Sequence, residues 1–187
     1  MIRILGIDPG LTRCGVGVID LSPSRKVSLV SVDTYRSEST LELSNRIGLV
    51  ASKIEQLIID SKPNAIALER VFSQANVSTV MGTAQISGVV LHLAYKYEIP
   101  ISMHTPTEVK AAVTGSGRAN KEQVSKMVAQ ILGLKEIPKP ADAADALAIA
   151  ICHGWRNPGL MQTGNKTATA AQKAWLAAES AAKARKH

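Results

Sequence analysis

Three apolar segments rich in β-branched residues open the chain before any helical pattern appears. Residues 2–7 form a compact apolar run that ends at Asp8 and a Pro-Gly pair, which is typical of a buried strand closed by a turn. Residues 14–19 alternate glycine with valine and isoleucine, and residues 27–32 alternate β-branched with polar side chains. These segments predict a meander of three strands at the start of the domain.

After the meander, helical and strand patterns alternate. Ser39 or Thr40 can cap a helix whose apolar positions follow helical spacing up to Pro63. Asn120 and Gln123 have the spacing of a capping box at the start of a later helix. The remaining patterns predict strands over 65–68 and 101–103 and helices over 76–97, 106–114, 120–133 and 140–155. This order predicts an α/β domain with a mixed five-stranded sheet flanked by helices, and functional groups in such sheets gather at strand ends.

The charge balance indicates a polyanionic partner. The 187 residues include 22 Lys and Arg against 15 Asp and Glu, a net charge of +7. Aromatic residues are only 3% of the chain, too few for a surface of successive base-stacking platforms. Five basic residues and one acid fall in an Ala-rich stretch, so we expect a folded domain over 1–157 and a basic tail over 158–187, flexible or helical. The tail is interpreted either as a phosphate-binding arm or as a solvated, frayed terminus.

Two further features bear on the compartment. Cys14 and Cys152 are the only cysteines, so no disulfide framework is expected and a reducing cytosol is favoured. The first residues lack the long apolar region and cleavage site of a signal peptide, and the apolar runs are shorter than a membrane span. We therefore expect a cytoplasmic protein without a membrane segment.

Four carboxylates occupy positions where an acid is unusual. Asp8 and Glu69 stand at the ends of apolar strands, and Asp142 and Asp145 lie on one face of a predicted helix. Alanines surround the second pair, and such small side chains let a helix approach a sheet closely. Since Asp and Glu are rarely buried without a partner, the four acids predict a positively charged ligand.

Hard oxygen donors without a His or Cys cluster suit Mg²⁺ or Mn²⁺ rather than zinc. Two such ions about 4 Å apart would offset the repulsion among the acids and activate water against a phosphodiester. Three of the acids taken alone also have a structural interpretation: a turn for Asp8, a salt bridge to Arg70 or another base for Glu69, and a helix cap for Asp142. Spacing alone leaves a metal site and scattered structural acids equally open.

Five sequence blocks in a fixed order add a family resemblance. They are Ile4–Gly10, Leu68–Phe72, Gly82–Gln85, Val109-Lys110 with 115–121, and Ala141–Ala150. Over residues 1–157 they closely resemble the RuvC-type Holliday junction resolvases. The resemblance implies a ribonuclease H-like fold and a homodimeric endonuclease that cuts four-way DNA junctions at two symmetry-related phosphodiesters during recombination and repair. It also implies work alongside the junction-binding and helicase subunits of branch migration.

The resemblance assigns roles to individual residues. The catalytic acids and metal ligands of the family, which would hold two Mg²⁺ per subunit or Mn²⁺ in their place, match Asp8, Glu69, Asp142 and Asp145. Lys110 and Lys121 match basic residues near the scissile phosphate, and Phe72 matches an aromatic residue at the junction centre. Arg118, in the loop between the two lysines, is a further candidate for DNA binding, with a solvated surface loop as the competing interpretation.

Several alternatives stay open from the sequence. The chain could be a noncatalytic junction-binding protein, or another ribonuclease H-like nuclease that acts on RNA. Gly82, Ala84 and Gly88 permit the long helix to pack closely against its own sheet or against a second subunit. His104 is interpreted as structural, and the Cys152-His153 pair lacks the paired spacing of a zinc site.

Overall fold

The computed structural model describes residues 1–70 and 77–157. Five strands form one sheet in the order β3-β2-β1-β4-β5. Their bounds are β1 Ile2–Asp8, β2 Arg13–Leu21, β3 Val27–Arg36, β4 Ala65–Glu69 and β5 Ile101–His104. β1, β2 and β3 pair antiparallel, whereas β4 runs parallel to β1 and β5 parallel to β4. The predicted α/β class, the opening meander and the mixed five-stranded sheet are confirmed.

Each predicted helix is present. The bounds are α1 Leu43–Ser61, α2 Val77–Lys96, α3 Pro106–Thr114, α4 Lys121–Leu132 and α5 Ala141–Arg156. The capping box at the start of α4 is confirmed, because the Asn120 side chain accepts from the backbone N–H of Gln123 and the Gln123 side chain accepts from that of Asn120, each at 2.9 Å. Within residues 1–70 and 77–157, no helix has the length and apolar character needed to cross a membrane.

The predicted cap of α1 is wrong. The helix begins after Glu42, which makes no side-chain cap hydrogen bond, whereas Ser39 and Thr40 lie in a preceding turn. The reason is that β3 continues to Arg36, four residues beyond the predicted end at 32, and this moves the start of the helix along the chain. A Ser or Thr hydroxyl caps a helix only where it faces the free N–H groups of the first turn.

Some predictions fall outside the described residues. Phe72 lies in the segment 71–76, and the basic tail covers 158–187. The proposed role of Phe72 and the division of the chain at residue 157 therefore stay predictions.

Helices cover both faces of the sheet. Leu5 and Ile7 of β1 belong to a buried apolar cluster with Ile54 of α1 and Val90 of α2, on one face. α5 packs on β1 and β2 from the opposite face, where it also contacts α3 and α4. Because successive side chains of a strand point to opposite faces, Asp8 faces the side of α5. The meander and its parallel neighbours thus direct the first candidate acid towards the helix that carries two others.

Candidate active site

The two strand-end acids stand side by side. β1 and β4 pair in parallel with Ile7 opposite Leu68, so Asp8 and Glu69 follow as the next pair at the carboxyl edge of the sheet. Their side chains share a hydrogen bond, which places a carboxyl of one within bonding distance of the other. The predicted convergence of these acids at strand ends is therefore observed.

Helix α5 brings the other two acids to the same edge by an unusually close approach to the sheet. A Cβ atom added at Gly15 would lie 2.0 Å from the carbonyl oxygen of Asp142, and one at Gly6 would lie 2.2 Å from that of Ala146. Only glycine leaves room for the helix backbone at these two positions. Asp142 lies in the first turn of α5 and Asp145 three residues later, so both side chains are held over the end of β1.

Burial and repulsion between charges raise the pKa of the two strand-end acids, Asp8 and Glu69. Burial raises the pKa of Asp8 to about 8, and the charges of Glu69, Asp145 and Asp142 add to the effect. Burial also raises the pKa of Glu69, against a hydrogen bond from Asp8 that lowers it. Two adjacent buried carboxyl groups whose charged forms are disfavoured in this way mark a candidate site for a cation.

A cavity of about 300 Å³ opens next to these acids. Asp8, Glu69 and Asp145 line it together with Lys110 of α3 and Lys121 of α4, while apolar side chains of α3, α4 and α5 complete the wall. The structure thus gathers five of the predicted site residues around one space. Asp142 is not among the lining residues of this cavity and borders a neighbouring one instead.

Lys121 forms the direct ionic contact on this side of the site. Its Nζ lies 3.1 Å from Oδ2 of Asp145, and the charge of Asp145 raises the pKa of this lysine. The charges of both Lys121 and Lys110 lower the pKa of Glu69, which places them within electrostatic reach of the strand-end acids. Lys121 is also the first residue of α4, where exposed backbone N–H groups attract anions.

Arg13 is a site residue that the sequence interpretation missed. Its Nε lies 3.3 Å from Oδ2 of Asp142, an oxygen that is fully buried yet makes no hydrogen bond in the described part of the chain. The hairpin of β1 and β2 sets this contact, because Asp8 pairs with Gly15 and Arg13 therefore stands just beyond the end of β1. The pairing of β1 with β2, had it been predicted from the sequence, would have placed Arg13 near Asp8. It would not have shown the contact with Asp142.

The four carboxylates are of the right chemical type to bind a divalent cation, but their side chains do not converge on one ion position in this structure. Four carboxylates offer hard oxygen ligands, and the buried Asp142 oxygen without a hydrogen bond has capacity for a further partner. As the side chains stand, no three His, Cys, Asp or Glu residues among those described converge on a single ion position. One oxygen of each helix acid already faces a basic side chain, since Oδ2 of Asp142 lies near Arg13 and Oδ2 of Asp145 lies near Lys121.

The remaining predicted residues lie elsewhere. Arg118 lines a separate cavity with Lys126 and Gln123, away from the acids. His104 at the end of β5 and His153 of α5 form a buried pair, with Nε2 of the first and Nδ1 of the second 3.0 Å apart. This contact bears out the structural interpretation of His104.

Comparison with known proteins places this site in a family. The model of the family described as crossover junction endodeoxyribonuclease RuvC matches residues 4–153. The crossover junction endodeoxyribonuclease RuvC of Paenarthrobacter aurescens is 52% identical over 184 residues, covering 97% of this chain and 97% of that protein. Its counterpart in Clavibacter michiganensis is also 52% identical, over 98% of this chain and 100% of that protein.

A solved structure agrees with the sequence comparisons. The T. thermophilus RuvC structure, in complex with a Holliday junction substrate, superposes with a TM-score of 0.80 at 32% identity. The match covers 85% of this chain and 96% of that one. The expected ribonuclease H-like fold is therefore confirmed.

Proposed function

The chain belongs to the RuvC family of crossover junction endodeoxyribonucleases and is a Holliday junction resolvase, and we propose that it acts by paired, symmetric, metal-dependent hydrolysis of phosphodiesters. Its setting is homologous recombination and DNA repair. One observation carries the proposal: three acids and two lysines surround a single cavity at the carboxyl edge of the sheet. Acids suit a cation, and lysines suit the phosphate that the cation would bring with it.

The four acids are proposed as the metal ligands. Asp8 and Glu69 are fixed by paired strands, while Asp142 and Asp145 are fixed by the close packing of α5 on the sheet. Two Mg²⁺ ions per subunit, or Mn²⁺ in their place, would offset the burial and the repulsion that together raise the pKa of Asp8. When bound, such ions supply an acidified water as the nucleophile and stabilise the leaving oxygen.

Lys110 and Lys121 are proposed to stabilise the charge that develops on the scissile phosphate. Both line the cavity beside Asp8 and Glu69, and Lys121 reaches it from the first turn of α4. A fixed ammonium group aimed at a developing negative charge accelerates the reaction more than it strengthens ground-state binding. Phe72, three residues after Glu69 in the sequence, is proposed to stack on a base at the crossover, which is worth about 1–3 kcal/mol per base.

We propose that the protein is a homodimer whose interface is the exposed face of α2. Met81, Ala84, Gly88, Leu91 and Tyr95 follow the three-and-four spacing of a helix-pairing seam, and all five are exposed. Tyr95 is 84% and Met81 54% exposed, which is high for large apolar side chains. Gly82 instead packs against Leu11 of the same chain, so the small residues of this helix divide between its own fold and the seam.

Two-fold pairing along this seam suits a substrate with two equivalent cleavage positions, since it gives two identical centres. We also propose that the protein works beside the junction-binding and helicase subunits of branch migration. A cytoplasmic location is proposed from the two cysteines, Cys14 and Cys152, which are buried and unpaired.

The test is Mg²⁺-dependent cleavage of a synthetic four-way junction by the wild type and by Asp145→Asn. We expect the wild type to introduce paired nicks and the variant to bind the junction while losing cleavage. Asp60→Asn, on the exposed face of α1, is the matched control and should cut at the wild-type rate. Unchanged cleavage by Asp145→Asn would contradict the metal assignment.

The same assay separates the competing functions. Offering a linear duplex and an RNA hairpin beside the junction identifies the substrate class. Faster cleavage of the RNA hairpin would favour a ribonuclease, and junction binding without any Mg²⁺-dependent nicking would favour a noncatalytic junction-binding protein.

A further inference from the structure

A second polar cavity adjoins the active-site cavity. It has a volume of about 460 Å³ and shares Asp8 as a wall residue with the cavity that holds Lys110 and Lys121. Its other polar side chains include Asp142, Arg13, Arg46, Thr12 and Thr83. A DNA strand whose scissile phosphate lies at Asp8 continues beyond this residue. The second cavity adjoins Asp8, so it is placed to receive the nucleotide next to the cleaved bond.

Arg46 extends from α1 into this cavity and is held by hydrogen bonds to uncharged side chains. Its Nε donates to Oγ of Ser37 at 3.1 Å, and its Nη2 donates to Oγ1 of Thr12 at 2.8 Å. No carboxylate of residues 1–70 or 77–157 lies within ion-pair distance of it. The guanidinium is therefore fixed in direction by two hydroxyls while its positive charge is left uncompensated, which is the condition for capture of an anion.

Arg13 lies across the same cavity. Its side chain is 59% exposed, and its only ionic contact in the described structure is Nε to Asp142 at 3.3 Å. The guanidinium makes no hydrogen bond to any described residue, so its donors are available to a ligand. Its charge also offsets that of Asp142, which would otherwise repel an anion from this wall.

The wall between the two arginines is firm rather than adaptable. Gly82 of α2 packs on Leu11, with a Cβ at Gly82 only 3.1 Å from that of Leu11. Ser37 also donates to the carbonyl oxygen of Leu11, so the β1–β2 turn is tied to the end of β3. Residues held in this way pre-organise a binding site and reduce the entropy lost when a ligand binds.

We propose that Arg13 and Arg46 bind the phosphodiester next to the scissile one on the cleaved DNA strand. The proposal rests on the proposed function, because it takes the cavity of Asp8, Lys110 and Lys121 as the place of the scissile phosphate. Arginine forks match phosphate oxygens, and the hydroxyl of Thr12 adds a donor or acceptor beside them. Arg13 and Arg46 thus fix the position of the strand, and with it the bond that is cut.

The first experiment measures junction affinity against salt concentration without divalent metal. Arg46→Gln retains an amide that can bond to Ser37 or Thr12 but loses the charge, and Arg13→Gln is its counterpart. Each variant should flatten the log–log slope by about 0.9 for one lost phosphate contact. Lys53→Gln, two turns further along α1, removes the same charge outside both cavities and serves as the matched control.

The second experiment locates the contact on the DNA. Junctions carry one uncharged methylphosphonate at either phosphate that flanks the cleaved bond, and single-turnover cleavage is measured. At one of the two positions the modification should slow the wild type about 10-fold, the effect of one charge-assisted contact. Arg46→Gln should already be slowed by that factor on unmodified DNA and should lose nothing further when the same phosphate is neutral.

Either result can overturn the proposal. Slopes for Arg13→Gln and Arg46→Gln that equal the slope for Lys53→Gln would exclude a phosphate contact. Equal sensitivity of the wild type and Arg46→Gln to every methylphosphonate would place the contact elsewhere on the junction. Failure of the wild type to cut unmodified junctions would contradict the proposed function instead, and the salt slopes would still decide the binding role.

Discussion

The ammonium nitrogen of Lys121 lies 3.1 Å from Oδ2 of Asp145, which ties the first residue of α4 to α5 across the active-site cavity. The charge of Asp145 raises the pKa of Lys121, so this lysine remains protonated through neutral and mildly alkaline pH. One cation therefore balances an acid of the cluster and stands ready for a phosphate. Its removal should affect catalysis more than folding.

Replacing Lys121 with glutamine should slow junction cleavage roughly 100-fold, because a positioned donor for transition-state charge is lost. Junction affinity should change only a few-fold, since most phosphate contacts remain. Single-turnover rates and binding constants measured on the same junction check this. Lys135→Gln, at an exposed position just beyond α4, is the control, and a similar rate for the two variants would contradict the assignment.

Replacing Asp8 with asparagine should stabilise the protein in EDTA, and more so as the pH rises. The pKa of Asp8 is about 8 in the folded protein, against about 3.9 in an unfolded chain. A raised folded-state pKa contributes stability that is complete below the unfolded value and is lost as pH rises through the folded value. The free-energy advantage of Asp8→Asn should therefore grow by on the order of 1 kcal/mol per pH unit between pH 5 and 8.

Urea unfolding at several pH values in EDTA measures this difference. Asp60→Asn provides the control for a change of one charge on the surface. If Asp8→Asn and the wild type lost stability in parallel over this range, burial of Asp8 could not be the cause of the pH dependence.

Replacing Gly15 with alanine should displace α5 and disable the site. The added methyl group would stand 2.0 Å from the carbonyl oxygen of Asp142, so the helix backbone must move. We expect the free energy of unfolding to fall by about 1–3 kcal/mol, in the range of overpacked cores, with loss of cleavage in the protein that remains folded.

Gly48→Ala is the opposite case for the same substitution. No heavy atom lies within 4 Å of a Cβ at Gly48, and this residue lies inside α1, so alanine should stabilise the helix by about 1 kcal/mol. Thermal unfolding and cleavage of both variants test the pair. Full activity in Gly15→Ala would show that the close approach of α5 is not required.

Replacing Leu91 with glutamate should dissociate the proposed dimer. A charge on the α2 seam faces its own symmetry mate, and both the repulsion and the desolvation oppose pairing. Sedimentation velocity should show a monomer, and the loss of paired cleavage should leave singly nicked junctions. Ile59→Glu places the same charge at an apolar side chain of similar exposure on α1, 46% against 42%, and should remain dimeric.

The elements that sequence predicted well are those with local causes. Asp8 and Glu69 were found because each ends an apolar strand, and two parallel neighbours bring such ends together. The capping box of α4 depends on Asn120 and Gln123 alone, so spacing was sufficient to identify it. The prediction of where α1 begins was wrong because that position depends on how far β3 extends. The pairing of β3 with β2 decides the length of β3.

The parts of the site that sequence missed depend on tertiary contacts. Arg13 and Arg46 lie 33 residues apart in number and meet at one cavity only after the hairpin, the end of β3 and α1 are packed together. Nothing in the local pattern distinguished them from other surface arginines. The sequence alone also did not distinguish Gly82 from Gly88. The orientation of α2 on the fold makes Gly82 face Leu11 and Gly88 face outward.

The contact of α5 with Gly6 and Gly15 limits how this protein can be redesigned. Substitutions at either glycine, or larger side chains along the alanine face of α5, would displace Asp142 and Asp145 together. Single substitutions at this contact should therefore abolish activity rather than change it in small steps. Directed evolution of a new sequence preference should therefore collect its mutations along the rims of the two cavities. The backbone contact beneath the acids should reach the end of such an experiment unaltered.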